Sequence, residues 1–167
     1  MGSINKLNQQ VDKTRYQIVP RSLIFIRFRD EVLLLKGNAD KKIWPNLYNG
    51  IGGHIEKGED IYQAALRELE EETGINGISL DLKCIVMIDP GDDLGIGLFV
   101  FTGEVKDRTI KAGPEGELFW LKMEELTSLQ LVPDLYELLP RVMDGKRKTH
   151  FGKYIQKDGE MLISFTG

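Results

Sequence analysis

The sequence has one cysteine and no long hydrophobic run. Cys84 has no partner within the chain, so an internal disulfide is excluded and a small buried strand residue is its simplest role. No apolar stretch approaches the roughly 18 residues that a membrane span needs. The N-terminus also lacks the apolar core of a secretory signal. These absences predict a cytoplasmic protein in a reducing compartment, with no membrane partner.

The sequence also has no excess of positive charge. The 22 basic and 26 acidic side chains give a net charge of −4, so a nucleic-acid polymer is not expected as the main partner. The chain has no internal repeat, low-complexity segment or linker, and no feature specifies an oligomeric state. At 167 residues, 41% of them hydrophobic, it suits one globular domain. We expect a flexible N-terminal arm over residues 1–18 and a single domain over residues 19–167.

Strand patterns alternate with two helical patterns, which predicts an α/β protein with a mixed β-sheet between helices on its two faces. The first helix should run from Asp60, as N-cap, to Thr73, with Gly74 following its end. The second should begin at Pro133 and reach about Met143, with Pro140 kinking it or ending it early. Strands are predicted at 22–29, 32–35, 78–88, 96–105 and 118–121, with a terminal hairpin over 150–165.

The first predicted helix carries a row of carboxylates. Glu68, Glu71 and Glu72 lie at i, i+3 and i+4, so they share one side of the helix. The neighbouring sector is apolar and should be buried; it holds Ile61, Tyr62, Ala65, Leu66 and Leu69. Three carboxylates on one edge repel one another, whereas Mg²⁺ prefers oxygen ligands and would reverse that repulsion. Taken alone, however, three glutamates are more simply explained as a solvated acidic face.

The spacing of the surrounding residues favours a metal site instead. The stretch from residue 53 to 75 matches G-x5-E-x7-R-E-U-x-E-E-x-G-U at every fixed position, where U is a bulky aliphatic residue. The matching residues are Gly53, Glu59, Arg67, Glu68, Leu69, Glu71, Glu72, Gly74 and Ile75. This stretch resembles the Nudix box, the signature of the Nudix hydrolase family.

The resemblance implies an α/β/α sandwich that hydrolyses a nucleoside diphosphate linked to a further group, with Mg²⁺ (or Mn²⁺) at the box helix. The metal and catalytic residues it implies are Glu68, Glu71, Glu72 and, outside the box, Glu115, with the Gly53 carbonyl as a further metal ligand. Glu59 and Arg67 would orient these glutamates. The general base stays open between Glu68 and Glu115, with Glu117 as a nearby substitute.

Substrate residues are suggested by two segments outside the box. Residues 48–53, YNGIGG, resemble the W-N-G-F-G-G run of the oxidised-purine nucleoside triphosphatases, which implies that Asn49 reads the base and Gly52 allows close approach. Residues 132–134, VPD, resemble their W-P-D-D segment and make Asp134 a base-contacting aspartate. Valine in place of tryptophan and Leu135 in place of the second aspartate are departures that affect base preference. Lys36 is a candidate phosphate contact.

The leading hypothesis is therefore Mg²⁺-dependent hydrolysis of a nucleoside triphosphate, such as 8-oxo-dGTP, to the monophosphate and pyrophosphate. One alternative is ADP-ribose hydrolysis, because Pro90 lies near where ADP-ribose-cleaving relatives carry a proline. Another is a module that binds a nucleotide as a sensor without cleaving it. All three predict a small nucleotide as the partner.

Overall fold

The computed structural model describes residues 11–167, and a mixed nine-stranded β-sheet forms their centre. The strands are β1 (Gln17–Phe28), β2 (Glu31–Gly37), β3 (Tyr48–Asn49), β4 (Ile51–His54), β5 (Asp81–Asp89), β6 (Leu94–Glu104), β7 (Gly116–Lys122), β8 (His150–Lys157) and β9 (Glu160–Thr166). Two α-helices, α1 (Ile61–Thr73) and α2 (Leu135–Val142), and one 3₁₀ helix (Met123–Ser128) complete the fold. No helix of the described residues is long and apolar enough to cross a membrane.

The sheet has the order β3-β2-β1-β6-β5-β8-β9, with β4 paired to β1 and β7 paired to β2. The pairs β1–β6 and β5–β8 are parallel, and the others are antiparallel. Because β4 runs beside β1, it holds the start of the box next to the middle of the sheet.

Strand β1 is buried on both faces, which explains its continuous apolar run. Leu23 and Phe25 pack into the cluster that contains α2, whereas Ile24 and Ile26 pack into the cluster that contains α1. Successive side chains of a strand point to opposite faces, so the two helices cover opposite sides of the sheet. The predicted α/β fold with helices on both faces is confirmed.

Three boundary predictions need correction. Strand β1 begins at Gln17, so residues 17 and 18, which we assigned to the arm, belong to the sheet; residues 1–10 of that arm lie outside the described residues. Helix α2 begins at Leu135 rather than Pro133; of the two alternatives for Pro140, an early end is excluded, because the helix continues to Val142. Strand β5 starts at Asp81 rather than residue 78. The terminal hairpin is present, and its turn uses Asp158 and Gly159, both with positive φ.

Candidate active site

Helix α1 is fixed at both ends by its own sequence. The Asp60 carboxylate accepts the backbone N–H groups of Tyr62 and Gln63, and the Gln63 side chain accepts the Asp60 N–H in return. Gly74 adopts φ 72°, a left-handed conformation that suits glycine, and donates its N–H to the Glu70 carbonyl. These caps set the length and rotation of the helix, and therefore the position of its carboxylates.

The buried face of α1 differs in part from the predicted one. Ala65 and Leu69 are fully buried as expected, but Tyr62 is 37% exposed and its ring meets Phe101 edge to face. The buried residues of α1 also include Glu72 and Thr73, which were not part of the predicted apolar sector. The carboxylate edge therefore reaches into the core at the end of the helix rather than only bordering it.

Arg67 joins the acidic residues of the box into one network. Its Nε and Nη2 donate to both oxygens of Glu59, at 2.6 and 3.0 Å. Its Nη1 donates to Glu68 at 2.8 Å and to Glu71 at 3.2 Å, and Nη2 also reaches the His54 carbonyl at 3.1 Å. The Arg67 guanidinium holds the pKa of Glu59 near 2, well below its ordinary value. These contacts are the ones that the orienting role predicted for Arg67 and Glu59 would require, and that role stays a prediction.

Gly53 brings the sheet backbone against Glu68. It lies in β4 opposite Ser22 of β1, and a Cβ at this position would be only 2.4 Å from Glu68 Oε1. Any side chain here would displace the carboxylate. The requirement for glycine at this point in the box is therefore steric. Without a side chain, the Gly53 backbone lies beside the carboxylate of Glu68, and both are predicted metal ligands.

Glu72 is the most unusual residue of the site. It is 7% exposed, and its Oε2 atom has no hydrogen-bond partner among the described residues. Burial, followed by the neighbouring carboxylates of Glu115 and Glu68, raises the pKa of Glu72 to about 7. The Gly113 N–H donates to the Glu72 carbonyl at 2.9 Å, which packs the loop before β7 against the end of α1. An unpaired buried carboxylate is costly without a cation beside it.

The loop before β7 brings Glu115 to the edge of this group. Glu115 is half-exposed and forms an ion pair of 3.0 Å with Lys41, from the loop between β2 and β3. Lys41 also lowers the pKa of Glu72, against the larger effect of burial. Sequence reasoning assigned no role to Lys41 or to Gly113. A glycine directly before Pro114 and Glu115 was the available signal for a tightly packed loop.

The carboxylates suit a hard divalent cation in number and chemistry, but they do not yet form a closed cage. Within residues 11–167, no three histidine, cysteine, aspartate or glutamate side chains are gathered closely enough to hold an ion as they stand. Arg67 occupies one oxygen each of Glu68 and Glu71, whereas Glu72 Oε2 has no partner among residues 11–167. Binding of a cation therefore requires these carboxylates to turn toward Glu72, and the attraction of the cation has to outweigh the charge repulsion among them.

The candidate substrate residues lie around the short strand β3. Of the three glycines that follow it, Gly52 serves strand packing, because a Cβ there would collide with the Ser22 carbonyl oxygen of β1. The Asn49 side chain accepts the N–H of Gly50 at 2.8 Å. Lys36 Nζ lies 5.5 Å from the centre of the Tyr48 ring, a cation–π distance.

The segment carrying Asp134 is held beside β3 by backbone hydrogen bonds. Tyr48 donates its N–H to the Gln130 carbonyl and accepts the Val132 N–H, each at 2.9 Å. The two segments that resemble the purine-binding runs are therefore neighbours in space. Asp134 itself faces the Tyr154 hydroxyl of β8, and burial raises the pKa of the Asp134 carboxyl. Leu135, which replaces the second aspartate, is fully buried.

The comparison with known families is decisive at this point. The profile of the NUDIX domain matches residues 18–142. The chain belongs to the Nudix family. The matched range contains α1, the glycine-rich strand β4 and the loop of Glu115, and it ends with α2.

Similar proteins agree with this family assignment. The uncharacterized Nudix hydrolase YvcI of Bacillus subtilis is 29% identical over 126 residues, which are 72% of this chain and 77% of that protein. The m7GpppN-mRNA hydrolase NUDT17 of Xenopus laevis is 47% identical over 45 residues, but these span only 15% of its length. Among solved structures, a MutT protein from Bacillus halodurans superposes with a TM-score of 0.73 and 27% identity, covering 89% of this chain and 96% of that one. The protein is a Nudix hydrolase, an enzyme class that acts on pyrophosphate-linked substrates.

Proposed function

We propose that this Nudix hydrolase cleaves a nucleoside triphosphate with water, releasing the nucleoside monophosphate and pyrophosphate. The leading substrate class is oxidised purine nucleotides such as 8-oxo-dGTP. The observation that carries the proposal is Glu72, a buried carboxylate with an unpaired oxygen, surrounded by the further carboxylates of Glu68, Glu71 and Glu115. An edge of this kind is stable when it faces a cation, and a cation is what brings an acidic protein to a polyphosphate.

The chain's own residues hold the reacting groups in place. Arg67 holds Glu68 and Glu71 through hydrogen bonds from one nitrogen, Nη1, and Glu59 keeps Arg67 fixed. The metal-holding residues we propose are Glu68, Glu71, Glu72 and Glu115, with the Gly53 carbonyl. When bound, Mg²⁺ or Mn²⁺ supplies positive charge against the phosphate oxygens and makes water a stronger nucleophile.

For the general base, the contacts favour Glu68 or Glu115 over Glu117. The negative charge of Glu115 contributes to the raised pKa of Glu72, so Glu115 lies near the carboxylates of α1. Glu117 instead lies within β7, directly opposite Lys36 of β2. Directly paired residues of neighbouring strands share a face of the sheet, and Lys36 is also the residue beside the Tyr48 ring. Glu117 is therefore next to the candidate substrate residues rather than among the candidate metal ligands.

The preference for purines is supported by two hydrogen bonds of Tyr48, which join the segments of Asn49 and Asp134. An asparagine both donates and accepts, as recognition of a purine edge requires. Lys36, near the same tyrosine, is proposed to contact phosphate. The missing aromatic at Val132 and the missing acid at Leu135 reduce the base contacts, so we expect a broader preference than in the enzymes whose motifs these segments resemble.

The test is a substrate panel with metal added and removed. Purified protein is incubated with 8-oxo-dGTP, dGTP, dATP, ADP-ribose and an RNA carrying a 5′-triphosphate, each with Mg²⁺, with Mn²⁺ or with EDTA. Products are separated by ion-exchange chromatography. The proposal requires pyrophosphate release that EDTA abolishes and the highest kcat/KM for the oxidised purine.

Other results have equally clear meanings. Faster cleavage of ADP-ribose, or of the RNA end, would refute the proposed substrate class but would still support the proposed metal site. Nucleotide binding without any metal-dependent cleavage, measured by calorimetry with the same panel, would identify a sensor and refute the hydrolytic proposal.

A further inference from the structure

Strand β9 is an open edge of the sheet. It pairs with β8 across a two-residue turn, starting with Lys157 opposite Glu160 and ending with Phe151 opposite Thr166. In such a hairpin, hydrogen-bonded and non-hydrogen-bonded pairs alternate from the turn onward. Glu160, Leu162, Ser164 and Thr166 therefore bond to β8, whereas the N–H and C=O groups of Met161, Ile163 and Phe165 point outward. Within residues 11–167, no other backbone hydrogen bond reaches these outward groups.

This edge lacks the features that usually prevent strand pairing. Natural edges are protected by lysine, proline, bulges or a covering loop. Strand β9, with the sequence EMLISFT, has no basic residue and no proline, and its register with β8 is uninterrupted. By contrast, β3 at the other end of the sheet is covered by residues 130–132.

The outward residues form an apolar row that continues the core. Ile163 and Phe165 pack against the cluster that contains α2, and the Arg141 guanidinium lies 4.3 Å from the centre of the Phe165 ring. Met161, next along the row, is 44% exposed. On the other face, Leu162 is 52% exposed and Phe151 is 51% exposed. A partner strand beside β9 would cover apolar surface on both faces of the sheet.

We propose that this edge pairs with β9 of a second copy, so that two sheets join across a two-fold axis. Antiparallel pairing centred on Ile163 places each Met161 opposite Phe165 of the other copy, and Ile163 opposite Ile163. Every outward N–H group then meets an outward carbonyl. Glu160 lies opposite Thr166 of the second copy, so no like charges face one another. The strand is complementary to itself in hydrogen bonding, in apolar contact and in charge.

The hairpin also lies beyond the range that the family profile matches. The NUDIX profile ends at residue 142, whereas β8 and β9 span residues 150–166. The proposed interface therefore uses no residue of the candidate active site, and it is independent of the hydrolytic proposal. A single pair of short strands is small beside a standard interface of roughly 1,600 Å², so we expect reversible dimerisation that depends on concentration.

Sedimentation velocity over a concentration series, combined with residue-resolved amide exchange by NMR, tests this pairing. We expect the mass to rise from the 19.0 kDa of one chain toward twice that value as concentration increases. The amides of Leu162 and Ser164 should be protected at every concentration because they bond to β8. The amides of Met161, Ile163 and Phe165 should become protected only at concentrations where the dimer forms.

A pair of variants at Met161 separates the backbone from the side chain. Met161→Pro removes an outward N–H that β8 does not use, whereas Met161→Val keeps that N–H and a β-forming side chain. We expect Met161→Pro to raise the dissociation constant roughly 10-fold or more, because one donor is lost from each copy. Met161→Val should dimerise nearly as well as the original chain.

Two results would overturn the proposal. One is a chain that stays monomeric at the highest concentration, with the three outward amides exchanging freely. The other is a dimer in which those amides stay unprotected and Met161→Pro dimerises as strongly as Met161→Val, since the contact must then lie elsewhere. Protection of the Leu162 and Ser164 amides in Met161→Pro shows whether the hairpin itself is still folded.

Discussion

Two parts of the candidate site differ in how their polar groups are bonded. One is the acidic edge of α1, formed by Glu68, Glu71 and Glu72. The other is the purine corner, formed by Tyr48, Asn49, Val132 and Asp134. At the acidic edge, Glu72 has a buried oxygen that no residue of the described part of the chain pairs with, and Arg67 holds two further carboxylates nearby. In the purine corner, the Asn49 oxygen is already bonded to Gly50, and Asp134 faces Tyr154.

This difference indicates at which of the two places catalysis depends most on the identity of the residues. An unpaired buried charge reduces stability, so its presence at the acidic edge favours a catalytic role. The Asn49 oxygen, which already accepts a hydrogen bond from its own fold, needs no ligand to explain it. We therefore expect substitutions at the acidic edge to affect turnover most, and substitutions in the purine corner to affect choice of substrate and stability.

Glu72→Gln should give the largest effect. It removes a negative charge from the acidic edge at almost constant volume, so we expect turnover to fall by more than the roughly 100-fold that changes around a metal's ligands can cause. The melting temperature should hold or rise, because burying an amide costs less than burying a charge. Glu70→Gln, on the exposed side of the same helix, is the matched control. Equal kcat in both variants, measured with Mg²⁺, would remove Glu72 from the site.

Arg67→Lys should be next, with a fall in kcat/KM of roughly 10–100-fold. Lysine keeps the positive charge but cannot hold Glu59, Glu68 and Glu71 at once with a planar fork of donors. The apparent affinity for Mg²⁺ should weaken together with kcat. Arg15→Lys, in the exposed stretch before β1, should leave both unchanged. If Arg67→Lys altered only thermal stability, the orienting role would be excluded.

Gly53→Ala and Gly52→Ala test the backbone beside the acidic edge. At Gly53 the new Cβ would press on the Glu68 carboxylate, which can move, so we expect roughly a 10-fold loss of kcat with the fold retained. At Gly52 it would meet the main chain of Ser22, which cannot move easily. Gly52→Ala should therefore lower the free energy of unfolding by about 1–3 kcal/mol. Chemical denaturation and steady-state kinetics on both variants would show whether the two losses separate in this way.

Asp134→Asn should give the smallest effect on catalysis. If Asp134 reads the base, the ratio of kcat/KM for the oxidised purine to that for its unmodified counterpart should change roughly 10-fold, the value of one hydrogen bond to a charged group. Activity toward the unmodified nucleotide should change little. Glu137→Gln, exposed on the first turn of α2, provides the control. A variant with a lower melting temperature and an unaltered ratio would make Asp134 a structural residue of α2 and β8.

Prediction from sequence succeeded where the determining contacts are local. The capped helix from Ile61 to Thr73 and the Asp158–Gly159 turn follow from neighbouring residues, because caps and turns depend on side chains a few positions apart. It was less accurate for Tyr62, assigned to the buried sector but 37% exposed, and it left open whether Pro140 would kink α2 or end it early. Burial and tolerance of a proline depend on what packs against the helix, which the local pattern does not contain.

By itself, the sequence determined that one helix carries Glu68, Glu71 and Glu72 on a single edge, since helical geometry converts their spacing directly into position. It also determined the family, through the fixed positions of the box and the match over residues 18–142. Only the tertiary structure decided that, within residues 11–167, Glu72 is buried with an unpaired oxygen, Glu115 and Lys41 reach the same edge, and β9 has no strand on its outer side. These properties arise from contacts between residues far apart in the chain, so the packed sheet has to form before any of them exists.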